Sequence, residues 1–555
     1  MCLSVILQMM QGAEFWMKGQ HMKTEFDYVI VGGGAAGCVL AARLAAESGG
    51  SVALLERGQR DTNRWIHIPA TFFKALQGRD SDAVVSEPDG SLGGKPFPVP
   101  QGKVLGGGSS VNGMIYMRGQ HRDYDDWADV HGCTGWAYKD VLPVFRRQEA
   151  NTRIENEYHG QNGKLVVDDP SAAHPIGYKV IEATISAGVT RTDDFNGAKQ
   201  EGAGWYQVTA HDGQRQSAAH CFLKPEGDRE NLTVLTGYLA CRLRIEDRRA
   251  VAVEARDING KEVVIRANQE IILTAGSFHS PKLLMLSGIG PRDELERHGV
   301  EIVHEAEEVG RNYQDHVGAP VTRRLAKATG LHGADRGLAA LKHGIDYFAF
   351  GKGLLTSNLL QAGACVDTSG SGRPDVQYNF APFAPGGPGE APLGYHAMQI
   401  HPMTMRPKSR GRLGLRSKDP SEAPKFYSNV LAEEEDMDTL RRGVRLARKI
   451  YEQPELKDII GNEVWPGPDI GSKVGSNRLD DAIREQARTI FHPAGTCRMG
   501  PTPSAVVDLE LRVNGIEGLR VADCSVMPAL VSGNTNAPTM MIADRAADFI
   551  LSADL

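Results

Sequence analysis

The sequence predicts an α/β protein, α+β overall, in which one domain is assembled from segments at both ends of the chain. Three observations predict it. The stretch "YVIVGGGAAGCVLAARLAAESGGSVALLE", Tyr28 to Glu56, runs an apolar strand into three glycines, a small-residue helix and a second apolar strand ending on a carboxylate. Near the other terminus "GLRVADCSVMP" and "APTMMIADRAADFIL" return to a strand and then a helix. Between them, strand patterns alternate with Gly and Pro punctuation.

Taken in order, the elements begin with "MCLSVILQMMQGAEFWMKGQH", whose short apolar run lacks a basic segment before it and a small-residue cleavage site after it. Met22 opens a more natural start, and residues 1–21 are expected to be a loose tail or a start-site artefact. The runs at 163–169, 230–246, 249–256 and 261–277 read as paired strands, because β-branched residues alternate there between turn signals. Helical spacing appears at 280–288, 333–353 and 432–456. The Pro- and Gly-rich loop "FAPFAPGGPGEAPLG", 380–394, reads as a lid or a domain edge.

Composition narrows the function. At 555 residues the chain is long enough for two substantial interiors, and 24% charged with 41% hydrophobic residues is ordinary for a water-soluble protein. No apolar run of membrane-spanning length occurs. A net charge of −7 argues against a nucleic-acid partner, which would need a concentrated excess of Lys and Arg. Eight cysteines, scattered without zinc or redox spacing, read as reduced cytoplasmic thiols, and no metal site is expected.

The first glycine stretch carries a specific chemistry. Gly32, Gly34 and Gly37 stand at GxGxxG spacing between strand and helix, where the first permits the turn, the second lets a pyrophosphate approach the backbone and the third lets helix and strand pack. The phosphates then meet the positive end of the helix dipole. Glu56, nineteen residues after Gly37, is placed to accept hydrogen bonds from a ribose diol. It would repel a 2′-phosphate, so FAD or NAD is favoured over NADP.

A second stretch, "GKVLGGGSSVNGMIYMRGQHRDYDDW" (102–127), holds a run of small residues, Gly107 among them, suited to a backbone pressed against a flat or anionic group. With "GSFHSPKLLMLSGIG" (276–290), "VGRNYQDH" (309–316), "FHPAGTCRMG" (491–500) and "VADCSVMPALVSGNTNAPTMMIADRAADFI" (521–550), it resembles the ordered motifs of the glucose-methanol-choline (GMC) family of FAD-dependent oxidoreductases. The resemblance runs from about Phe26 to the end of the chain.

That resemblance implies a discontinuous Rossmann-like FAD-binding domain from 22–165, 205–320 and 488–555, and a smaller substrate domain of sheet and helices from 166–204 and 321–487. It implies FAD held non-covalently, because Val111 stands where some relatives attach the flavin to a His. Asn112 is then expected beside the isoalloxazine ring, Ala240 on the adenine-binding strand and Asp523 near the phosphoribityl region. Alcohol oxidation needs a base for the hydroxyl proton, and His suits because its pKa lies near neutrality. Among seventeen histidines, His492 matches the family's active-site His. Asn536 is taken as the positioning donor to the alcohol oxygen beside His492, and it also reads as a cap for the helix near Pro538. Phe491 reads either as a wall of the substrate pocket or as core packing.

The expected activity is oxidation of a primary alcohol, aliphatic or aromatic, to the aldehyde, with the proton passing to His492 and a hydride to flavin N5. The electron acceptor is either oxygen or a quinone-like carrier. A hydroxynitrile-lyase-like flavoprotein is the alternative from another class, and an NAD-dependent dehydrogenase is supported by the first motif alone. A cytoplasmic location follows, with peripheral attachment to the inner membrane as a variant.

Overall fold

The computed structural model describes residues 23–384, 393–470 and 477–553. The N-terminal tail and most of the loop 380–394 lie outside the described residues. Two large sheets organise the rest, and the α/β class read from the sequence is the class found.

In the first sheet the spatial order is Leu232–Thr236, Val52–Glu56, Glu25–Val31, Glu262–Leu273, Arg249–Arg256, Leu239–Glu246, with Leu519–Val521 paired to the last residues of Glu262–Leu273. Its centre is parallel, Val29 opposing Ala53 on one side and Ile271 on the other. Parallel strands are covered on both faces, which explains their continuous apolar runs. Val29, Ile30, Val52, Ala53 and Leu54 have no exposed surface. The helices Ala35–Glu47 and Asn536–Ala553 pack against each other and share this core, so the two ends of the chain meet as the sequence implied.

The run 230–246 supplies two paired strands: Leu232–Thr236 lies parallel to Val52–Glu56, and Leu239–Glu246 lies antiparallel to Arg249–Arg256. The amides of Gly237 and Tyr238 donate to the carbonyls of Gly58 and Glu56, so the link is tied to the neighbouring strand end and closes no hairpin.

The second sheet runs Ile460–Trp465, Val321–Leu325, Ala397–Thr404, Val376–Ala381, Ala362–Val366, Gly202–Trp205. The short strands Val317–Gly318 and Arg488–Thr489, which the sequence grouped with the first domain, pair here: Val317–Gly318 joins both Ala397–Thr404 and Arg488–Thr489. One face is apolar, with Tyr378, Phe380, Met398 and Ile400 in its core. The helix Glu434–Tyr451 packs on this sheet with Met437, Leu440, Val444, Ala447 and Tyr451 buried at three- and four-residue spacing. Tyr378 donates to the carbonyl of Gly443 on that helix at 3.0 Å, which fixes its distance from the strand.

Among the described residues no helix is long and apolar enough to cross a membrane, and no cluster of His, Cys, Asp and Glu is arranged to hold a metal ion.

Candidate active site

A cavity of about 410 Å³ is lined by residues of both sheets. Gly32, Gly34, Glu56, Gly107, Asn112, Ala240, Asp523, His492 and Asn536 all border it, while Gly37 sits just behind. Segments from across the sequence therefore converge on one space.

At one end the structure is a cradle for phosphate and ribose. A Cβ built on Gly37 would lie 1.9 Å from the carbonyl oxygen of Gly32, so only glycine lets the helix start this close to the strand. Gly107, at φ +51°, would bring a Cβ to 2.7 Å from the Cα of Gly34, so the two glycine loops touch backbone to backbone. The helix Ala35–Glu47 begins without a side-chain cap, leaving amide donors for an anion in the cavity. Glu56 accepts from the amides of Gly33 at 2.9 Å and Gly58 at 2.6 Å. Burial raises its pKa, against those two bonds and the charge of Arg57.

Other nominated residues are tied into the scaffold. Asp523 accepts from the amides of Gly276 (2.9 Å) and Ser525 (2.8 Å) and from the Ser280 hydroxyl (2.6 Å), so its carboxylate fastens the C-terminal segment to the start of the helix Gly276–Leu286. Asn112 accepts from the Met114 amide at 3.1 Å and from Arg215 at 2.7 Å. Arg215 is buried and has no carboxylate partner among the described residues. Burial pushes it down to about 9, and one of its nitrogens has no hydrogen bond.

The other end of the cavity holds His492, and a directed chain of hydrogen bonds sets its protonation. The Nε2 of His316 lies 2.9 Å from the carbonyl oxygen of Met405, and a carbonyl only accepts, so this nitrogen carries the proton. Burial lowers His316 to about 4 despite that bond and the nearby Val531 carbonyl, so the ring is neutral and its Nδ1 is an acceptor. The Nδ1 of His492 stands 2.8 Å from it and must donate. His492 is itself held neutral, its pKa pushed well below the usual imidazole range by burial first and His316 second. Its Nε2 is left unprotonated, with a lone pair that accepts.

That lone pair faces Asn534 and not Asn536. The Asn534 side-chain amide lies 3.2 Å from His492 Nε2, and its carbonyl oxygen accepts from Gln377 at 3.2 Å, which fixes the NH₂ toward the imidazole. Asn536 is the first residue of the C-terminal helix and borders the cavity, but no hydrogen bond joins it to His492. Both amides border the cavity, and Asn534, two residues earlier in the irregular chain before the helix, is the one in contact with His492.

Backbone geometry presents His492. Phe491 has φ +68°, a conformation that costs a bulky residue roughly 1–3 kcal/mol. It is 47% exposed and borders the cavity, so it is a wall and not core packing. The His492 amide donates to Asp315 at 2.9 Å, and Asp315 also accepts from Tyr313 and Thr489. Burial raises this carboxyl to about 7. Asp315 and His316 lie in "VGRNYQDH", a stretch the sequence reading used only as a motif; an acid beside a His in a buried segment was the available signal.

Two family patterns described as GMC oxidoreductase match residues 26–318 and 407–543. The chain belongs to this family. It is 40% identical to the oxygen-dependent choline dehydrogenase of Brucella anthropi and 40% identical to the alcohol dehydrogenase [acceptor] of Pseudomonas putida, each over 95% of this chain and 96% of the relative. Pyridoxine 4-oxidase from Mesorbium loti superposes with a TM-score of 0.84 at 29% identity, covering 94% of this chain and 98% of that one. This GMC oxidoreductase is thus an FAD-dependent enzyme acting on CH–OH donors. Its uncapped helix start, paired glycine loops and Glu56 fit the dinucleotide half of FAD.

Proposed function

We propose that this GMC oxidoreductase converts a primary alcohol to the aldehyde, with His492 as the base and Asn534 as the donor to the alcohol oxygen. The observation that carries the reading is the unprotonated Nε2 of His492, held 3.2 Å from an amide donor at the border of the cavity that the glycine loops also line. An alcohol whose oxygen lies against both nitrogens gives its hydroxyl proton to Nε2 and takes over the hydrogen bond from the Asn534 amide as negative charge develops. FAD, bound non-covalently because Val111 offers no nucleophile, supplies the hydride acceptor. His316 prepares the base beforehand, since the Met405 carbonyl fixes its tautomer and through it that of His492.

The test is an anaerobic titration of the FAD-loaded protein with aliphatic, benzylic and quaternary-ammonium alcohols, followed by air. Loss of the flavin absorption with an alcohol is the expected result, and the speed of recovery in air reads the acceptor: rapid for an oxidase, slow for a dehydrogenase. FAD that no alcohol bleaches overturns the reading in favour of a lyase.

A further inference from the structure

The cavity-facing side of the second sheet is polar where a buried sheet is normally apolar. Along Ala397–Thr404 and Val376–Ala381 the residues alternate: Met398 and Ile400 face the core, while Gln399 and His401 border the cavity, with Asn379 directly opposite His401 and also on the cavity. Buried polar groups are nearly always hydrogen-bonded. Here Asn379 Oδ1 and His401 Nε2 have no partner, and neither does Nε of Arg488, which reaches the same cavity from Arg488–Thr489.

Arg488 is the decisive member. Its hydrogen bonding to other described residues is a single long contact, 3.4 Å to Gln399 Oε1, and among the described residues no carboxylate pairs with it. Burial lowers it to about 10, still far enough above neutrality to keep its charge. Arg488 is half-buried, and a cation so far withdrawn from water is costly unless it is paired. The only described carboxylates bordering the cavity, Glu56 and Asp523, are held by backbone amides at the dinucleotide end. Space has also been made for His401: a Cβ on Gly318, the partner of Arg488 across the strands, would lie 2.5 Å from His401 Nε2.

We propose that the alcohol oxidised here carries a carboxylate that docks on Arg488, assisted by His401, while its carbinol lies at His492 and Asn534. The inference rests on the alcohol-oxidation reading. One cation beside a neutral imidazole matches a single negative charge, which favours a carboxylate over a phosphate dianion, and it disfavours choline, whose trimethylammonium group would meet Arg488. Arg488 and His492 are four residues apart, at most about 13 Å along an extended backbone, so one small molecule reaches both. The carboxylate is unchanged by the reaction.

The experiment compares anaerobic flavin reduction by matched pairs, 4-(hydroxymethyl)benzoate with benzyl alcohol and 6-hydroxyhexanoate with 1-hexanol, with choline and a phosphate monoester of a diol as further arms. At least a tenfold higher second-order reduction rate for the carboxylate of one pair is expected, and Arg488→Gln collapses that ratio while Arg488→Lys restores part of it. Equal rates within both pairs, preference for choline or the phosphate ester, or a ratio untouched by Arg488→Gln each overturn the proposal. A second readout needs no turnover: benzoate and hexanoate perturb the flavin spectrum of the wild type, and at least tenfold weaker binding is expected in Arg488→Gln. If no alcohol bleaches the flavin, the oxidation reading falls, and unperturbed spectra with both acids then also exclude an anion site at Arg488.

Discussion

At the scale of single residues, one carbonyl, that of Met405, sets the direction of the hydrogen-bond chain through His316 to His492. Removing the proposed base should be the largest effect: His492→Asn is expected to slow flavin reduction by roughly 10²–10⁴-fold, with FAD content unchanged, as measured by anaerobic stopped flow. In the same assay Asn534→Ala is expected to lose more rate than Asn536→Ala, because only Asn534 contacts Nε2. The pH dependence follows from the same burial. Protonated His492 is inactive as a base, and burial with His316 beside it holds its pKa well below the usual range, so the acid limb of kcat/KM should lie below the range in which an ordinary imidazole titrates. His316→Phe removes the ring that helps to depress it, and the limb should move to higher pH.

At the scale of elements, small residues matter because backbones touch. Gly37→Ala would force a Cβ to 1.9 Å from the Gly32 carbonyl, separating helix from strand. The expected outcome is a protein purified without FAD and with a lower melting temperature, read from its absorbance and a thermal scan. The strands of the second sheet follow a different rule. Their period-two alternation is present in "VQYNFA" and "AMQIHPMT", where alternating polar residues by themselves point as readily to solvent as to a cavity. Burial on both faces turns the same alternation into a polar wall.

At the scale of the whole molecule, stability rests on polar ties between distant segments. Arg118, 1% exposed, pairs with Glu149, which is 0% exposed and also bonds His159, itself paired with Asp194. Arg118→Met leaves Glu149 buried without its cation and is expected to cost about 3–5 kcal/mol, measured by urea unfolding. Asp315 adds a pH term. Burial raises it from 3.8 to about 7, so the folded state keeps a proton the unfolded chain releases, and its contribution to stability declines as pH rises from about 4 to about 7. Asp315→Asn should flatten that part of the stability–pH curve relative to wild type.

The sequence by itself determined the α/β class, the glycine loop with its acid and the family resemblance, and it nominated His492. These are local: spacing along one strand and helix, or one short motif, dictates the backbone conformation and the chemistry it serves. The meeting of Asn534 with His492, the tautomer imposed through His316 and Met405, and the unpaired Arg488 on a polar sheet face were decided only by tertiary structure. Each depends on which strand lies beside which and on how completely water is excluded, and both are set by long-range packing between segments tens to hundreds of residues apart. The choice between Asn534 and Asn536 shows the boundary most clearly, because two identical amides two residues apart differ only in where the helix begins.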